Sequence, residues 1–316
     1  MNAPGRLGLY GAGLVVVFGA AFAAAGALVP DSTVTAWADA GHSSHDAQAP
    51  EDAAGTKDDQ EMGVSGVMSA ASGFTMSPVQ APANVETDGE LSFDIRDPSG
   101  VPITDFDEAH DKQLHLIVVR NDGREYRHVH PELDPRTGVW SLPWSWDTAG
   151  TYRLYADFTS EGVSATLSRT VDVAGQLTPE PEVAVKTSDT VDGFDVTVSG
   201  DLVAGTGSEL TVKVSRDGEP VTVLEPYLGA FGHLVALRDG DLAYLHVHAR
   251  GEEPQPGDLA GPEVEFTAET PTTGRYLLYL DFQVDGQVHT AQFVLEATPA
   301  TGDQADTEDD AEHDGH

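Results

Sequence analysis

The sequence predicts an all-β chain: two tandem antiparallel Ig-like β-sandwich domains behind one N-terminal membrane helix or signal segment. Three observations carry this prediction: an internal repeat, short β-branched and aromatic runs separated by turn residues, and the lack of any helix-period stretch in the body of the chain. HLIVVRNDGREYRHVH (His115 to His130) matches HLVALRDGDLAYLHVH (His233 to His248) at a constant spacing of 118 residues. Downstream, Asp147 to Phe158 matches Pro271 to Phe282 at a spacing of 124, so the extra residues fall within 249–270, a Gly, Pro and acid loop. Gly73-Phe74 and Gly193-Phe194 mark comparable starts of the two copies.

From the N-terminus, residues 1–30 contain an uncharged apolar run, Leu7 to Val29, between Arg6 and Pro30-Asp31. This run exceeds the roughly 7–15 residues of a signal-peptide core and reaches the roughly 20 needed to span a bilayer. That favours an uncleaved anchor with its N-terminus inside. Ala38-Asp39-Ala40 is an A-x-A-like pattern and leaves cleavage and secretion as the alternative. Both place the bulk of the chain outside the cytoplasm, on the cell membrane as a single-pass protein or secreted.

Residues 31–63 are small, polar and acidic, and are expected to form a disordered linker. The first sandwich is expected over 64–175, a Pro-rich connector over 176–181, the second sandwich over 182–298, and a disordered acidic tail over 299–316. His42, His45, His313 and His316 sit among acids in the linker and tail, where they read as solvating low complexity or as a weak scavenger of divalent cations.

Within the first copy the strand runs are LSFDI, LHLIVV, VWSLPW, TYRLYADF and TLSRTVDV; within the second they are FDVTVS, LTVKVS, HLVALR, AYLHVHA, RYLLYLDF and TAQFVLEA. Gly150-Thr-Tyr152 and Gly274-Arg-Tyr276 stand before a long strand at matching places, the pattern of the tyrosine corner of Greek-key Ig-like folds. Trp140, Trp144 and Trp146 fall on one face by alternation, which points to packing in the core or between domains.

Composition excludes several functions. The chain has 316 residues, 53 Asp+Glu against 16 Lys+Arg, a net charge of −37, 12 His and no Cys. The charge disfavours nucleic acid and anionic lipid headgroups. Without cysteine there is no disulfide framework, thiolate zinc site, iron–sulfur cluster or cysteine nucleophile, so any metal chemistry falls to His and carboxylates.

The histidines supply a pattern for that chemistry. An Asp122-Gly123 hairpin turn sets His115 opposite His130 and Ile117 opposite His128, which points His115, His128 and His130 the same way. In the second copy a turn at Asp239-Gly240 or Gly240-Asp241 keeps His233, His246 and His248 on one face. The expectation is therefore one three-His site per domain. Neutral imidazoles suit Cu(II), Zn(II) or Ni(II), which narrows the cofactor to Cu(II) or Zn(II). A fourth ligand could come from water, from His110, or from Asp157 and Asp281 in the matched Y-x-D-F strands; His289, without a counterpart, could serve only the second site. Tyr126 and Tyr244 share the face and are placed to back the ligands.

At these residues the chain resembles exported bacterial proteins with YtkA-like (FixH-like) sandwich domains. The likeness lies in HLIVV, turn, H-x-HP in the first half and GHLVALRDGDLAYLHVH in the second, and it covers most of 70–298. It implies handling of copper or another heavy metal in the cell envelope. One departure stands out: Pro131 follows His130, whereas Ala249 follows His248, so the second site is expected to be looser.

The leading expectation is an envelope protein that binds a divalent metal ion, tethered through its N-terminal segment. The alternative is an adhesion or assembly module in which the sandwiches meet an envelope protein partner and the histidines are structural. An enzyme is not expected: no H-E-x-x-H, nucleophile elbow or phosphate loop accompanies the histidines, which ranks a His-liganded metalloenzyme last.

Overall fold

The computed structural model describes residues 66–178, 184–245, 247–255 and 257–300, which all belong to one unit, Gln60–His316. The N-terminal segment 1–30, the linker 31–63, residues 179–181 of the connector, His246 and residues 301–316 of the tail lie outside the described residues. Among the described residues the chain is all β, and no helix is long and apolar enough to cross a membrane.

The first copy holds β1 (Ala70–Ala71), β2 (Phe74–Met76), β3 (Gly89–Arg96), β4 (Leu114–Arg120), β5 (Arg127–Val129), β6 (Glu132–Asp134), β7 (Val139–Trp144), β8 (Gly150–Ser160) and β9 (Val163–Val173). They form two sheets in the orders β1-β2-β3-β7-β6 and β5-β4-β8-β9. The second copy holds β10 (Ser188–Val191), β11 (Phe194–Ser199), β12 (Leu202–Val203), β13 (Thr206–Arg216), β14 (Glu219–Pro220), β15 (His233–Arg238), β16 (Tyr244–Leu245), β17 (Val247–Ala249), β18 (Glu263–Thr270), β19 (Gly274–Val284) and β20 (Gln287–Thr298). Its sheets run β10-β11-β13-β18-β17, with β14 beside β13, and β12-β20-β19-β15-β16. The two orders correspond except that β12 and β14 of the second copy have no counterpart in the first, and the eleven runs read from the sequence fall on strands. The extra length of the second copy lies in 250–262 between β17 and β18, where the first copy has only 135–138 between β6 and β7.

Each sandwich closes on its own core. In the first copy Leu91, Phe93 and Ile95 of β3 meet Leu114, Leu116 and Val118 of β4 and Leu154, Ala156 and Phe158 of β8. Trp140, Trp144 and Trp146 all join this core, at 2%, 6% and 1% exposure, so the stripe of tryptophans is packing. Both tyrosine corners are formed: the Tyr152 hydroxyl donates to the Thr148 carbonyl at 2.9 Å and the Tyr276 hydroxyl to the Thr272 carbonyl at 2.8 Å.

The other faces of the two inner sheets meet each other. Alternation sends Ile117 and Val119 of β4 and Tyr155 of β8 out of the first sandwich, and Val235 and Leu237 of β15 with Leu277 and Tyr279 of β19 out of the second. These residues, with Leu242, Tyr244 and Val294, form a third buried cluster of ten that joins the copies. Two tyrosines reach across it to carbonyls: Tyr155 donates to Leu242 at 2.5 Å and Tyr279 to Gly123 at 2.6 Å. Burying one such side chain contributes about 1.5–3 kcal/mol, against about 1 kcal/mol for a typical hydrogen bond. Apolar contact is therefore the main attachment between the copies.

Candidate functional site: a histidine cluster at the seam

His115 begins the outward-facing row of β4, one step before Ile117, and His233 begins the same row of β15, before Val235. The row that builds the seam therefore delivers an imidazole from each copy to one end of it. His128 enters through β5, where Ile117↔His128 and Leu116↔Val129 pair as expected. The turn itself is longer than two residues: Gly123 donates to the Arg120 carbonyl, Arg120 donates to the Arg124 carbonyl, and Glu125 sits at φ 54°.

Four rings gather here. Ring centroids lie 5.3 Å apart for His115 and His128, 5.1 Å for His115 and His130, 5.0 Å for His128 and His233, and 5.5 Å for His115 and His233. The Nδ1 of His115 is 3.1 Å from Nε2 of His128 and 3.3 Å from Nε2 of His130. Ligand atoms of a tetrahedral ion with 2.0–2.1 Å bonds lie about 3.3 Å apart, so these separations suit one ion. His115, His128 and His233 each offer a nitrogen within 4.8 Å of the others.

Outer partners orient two of the rings. His115 Nε2 faces the Ala109 carbonyl at 3.1 Å and so carries the hydrogen, which leaves Nδ1 as a lone pair aimed into the cluster. His128 Nδ1 donates to Oδ2 of Asp281 at 2.9 Å, and Thr290 fixes that carboxylate by donating to Oδ1 at 2.6 Å. The His128 side chain is 1% exposed and Asp281 3%. Such a carboxylate–histidine pair leaves Nε2 as the free lone pair, the arrangement found behind metal-bound imidazoles. Burial, and after it the neighbouring His128, pushes His115 down to about 4. Burial, then His128 and His115, pushes His130 down to about 3, while burial followed by the adjacent histidines holds His233 well below its usual value. Those three rings are therefore neutral at pH 7, the state in which imidazole ligates a metal.

A family model described as Domain of unknown function (DUF8832) matches residues 69–175 and again 189–299. The chain belongs to that family. No YtkA-like (FixH-like) or copper-handling family is shown by the match, so the resemblance of the hairpins stands on its residues alone. A search of curated proteins finds no match. Among solved structures the chain is similar to invasin, titled a bacterial integrin-binding protein, at 14% identity and a TM-score of 0.23, over 72% of this chain and 39% of that one. It is similar also to the Yersinia pseudotuberculosis adhesin InvE (13% identity, TM-score 0.21, 71% of this chain and 58% of that one). Domains 4 and 5 of the S-layer protein SbsC give 8% identity and a TM-score of 0.21, over 71% of this chain and 96% of that one. The chain thus spans well under two thirds of the first two, and at these TM-scores the likenesses carry no argument about its role.

The remaining candidates separate. In the first DUF8832 domain the chain leaves the inner sheet after Val129, and β6 joins β7 of the outer sheet. In the second domain it leaves two residues earlier: β17 already pairs with β18, with His248 opposite Thr267 and exposed. His248 is therefore not brought to His233, and His246 lies outside the described residues. Where the sequence sets one three-His site in each domain, the described residues bring His115, His128 and His130 of the first together with His233 of the second. His110 stands at its edge, with ring centroids 6.1 Å from His115 and 5.8 Å from His233. Asp281 orients His128 of the other domain, and Asp157 accepts a hydrogen bond from Thr166 at 2.7 Å. His289 pairs with Asp192 at 2.8 Å and packs on Phe194 and Phe282, apart from the cluster. Tyr126 stacks on Tyr279 with centroids 4.0 Å apart, and Tyr244 lies against Tyr155 at 5.6 Å, so both tyrosines serve the seam.

Proposed function

We propose that the chain is an exported envelope module that binds one divalent metal ion, Cu(II) or Zn(II), at the seam of its two DUF8832 domains. His115, His128 and His233 are the ligands, His130 is the fourth donor, and Asp281 sets the tautomer of His128. The observation that carries this reading is the convergence of ring nitrogens on His115 Nδ1. A lone pair on His115 Nδ1 faces His128 Nε2 at 3.1 Å and His130 Nε2 at 3.3 Å inside a buried site. The single lone pair of His115 Nδ1 can accept from only one of these two rings, whereas one cation satisfies all three nitrogens together. Export rests on the apolar run from Leu7 to Val29, and the charge of −37 favours the approach of cations.

A second reading has its own support. The His128–Asp281 and His115–Ala109 hydrogen bonds tie loops to the seam without an ion, as an adhesion or assembly module meeting an envelope protein partner would need. The two readings part on metal titration of the full chain. The metal reading expects tight Cu(II) or Zn(II) binding that disappears in His128→Ala while the fold remains. The assembly reading expects wild type and variant to bind equally weakly, through the linker and tail histidines alone.

A further inference from the structure

The two copies differ at one seam position in a way the histidine cluster does not use. Leu277 of β19 packs on the first hairpin turn so closely that a Cβ at Gly123, itself at φ 77°, would lie 2.4 Å from its Cδ1. The matching residue of β8, by the 124-residue spacing, is Arg153. Its Nε and Nη1 are closed off from solvent and have no hydrogen-bond partner among the described residues. The guanidinium lines a cavity of about 320 Å³, bounded also by Val67 and Asn121 and by Gly240, Asp241 and Leu242 of the second hairpin turn. An apolar plug on one side of the seam is a charged, open pocket on the other.

Guanidinium N–H groups closed off from water and left without an acceptor are costly. Scarcity of acids does not explain it, since the chain has 53 acidic against 16 basic residues. The acid nearest to hand is committed elsewhere: both carboxylate oxygens of Asp241 accept from Arg238, at 3.0 and 2.5 Å, and Oδ1 also accepts from the Ala243 amide at 3.1 Å. Asn121, whose backbone amide is held by the Thr151 carbonyl, also lines the cavity.

We infer that this cavity is an oxyanion site, in which Arg153 pairs with a carboxylate or phosphate group of a small ligand. Guanidinium presents paired N–H donors that match the two oxygens of such a group. The site is independent of the metal cluster and does not rest on it.

The test uses the full chain stripped of metal, with inorganic phosphate and succinate as probes and chloride at matched ionic strength as control. The substitution is Arg153→Leu, which installs the residue of the other copy, with Arg153→Gln as a second variant should the first fail to fold. Calorimetry should show at least one oxyanion binding the wild type, with about tenfold or greater loss in the variant. The melting temperature of Arg153→Leu without ligand should equal or exceed that of the wild type. Binding of phosphate alone assigns a phosphate ligand and binding of succinate alone a carboxylate. Failure of both to exceed chloride, or equal binding by wild type and variants, overturns the inference.

Discussion

The two hairpins carry the same His, thirteen residues, His, one residue, His spacing, yet the fold uses them differently. In the first, the chain stays beside β4 through Val129 before crossing to the outer sheet; His130 and Pro131 stand at the exit. In the second, the crossing falls between β16 and β17, and His248 ends on the outer sheet. A two-residue difference in where a strand changes sheets thus decides whether a third imidazole reaches the cluster. Duplicated motifs need not make duplicated sites: here the second copy contributes His233 and the carboxylate that orients His128, so the pair of domains builds one site.

The sharpest way to break this comparison is to remove equivalent histidines. His128→Ala should lower metal affinity by more than the 10–100-fold typical of outer partners, and His248→Ala should leave it unchanged, as read by calorimetry on the full chain. Equal losses would restore the two-site reading. Next in size, Asp281→Asn should cost about 10–100-fold in affinity, because Nδ1 of His128 loses its carboxylate while no ligand is removed. The chain position of Asp281 makes this a test across the seam, since it lies 153 residues from His128.

pH offers a third test with a definite sign. His115 and His130 have folded values pushed down to about 4 and about 3, below the ordinary value of 6.5. The unfolded chain therefore binds more protons in that window, and stability falls as pH drops from about 6.5 towards 3–4. Carboxylate protonation alters the whole chain as well, so the informative quantity is a difference in slope. Melting temperature should decline less steeply in His130→Gln than in the wild type between pH 6.5 and 4; parallel slopes would contradict the neutral assignment. Smallest of all, Pro131→Ala should weaken binding by roughly two- to fivefold, the equivalent of about 0.4–1 kcal/mol of backbone freedom. Ala249→Pro in the second copy should change nothing measurable in affinity.

Much of this architecture is legible in the residues. Period-two runs place the strands, the doubled G-x-Y places both tyrosine corners, and the odd parity of the first hairpin places His115, His128 and His130 on one face. The seam is written more faintly. Leu116 to Val119 and Leu234 to Leu237 are apolar at successive positions, which is how a strand covered on both faces reads. That signal tells that the outer face is buried, and the missing part is what buries it. Local periodicity cannot specify that His128 of one copy meets Asp281 of the other, because cross-copy partners have no fixed spacing. Nor does it mark the crossing before Val247, where VHVH-like alternation runs through a change of sheet. Arg153 was hidden for the same reason: only with Leu277 seen packed on the opposite turn does a charged residue at the matching place become informative.

The central claim is one shared site, and stoichiometry tests it most directly. Native mass spectrometry of the full chain titrated with Zn(II), and in parallel Cu(II), should find one tightly held ion per chain, lost both in His128→Ala and in His233→Ala. Two tight ions per chain, or one ion retained when either copy alone is altered, would contradict it.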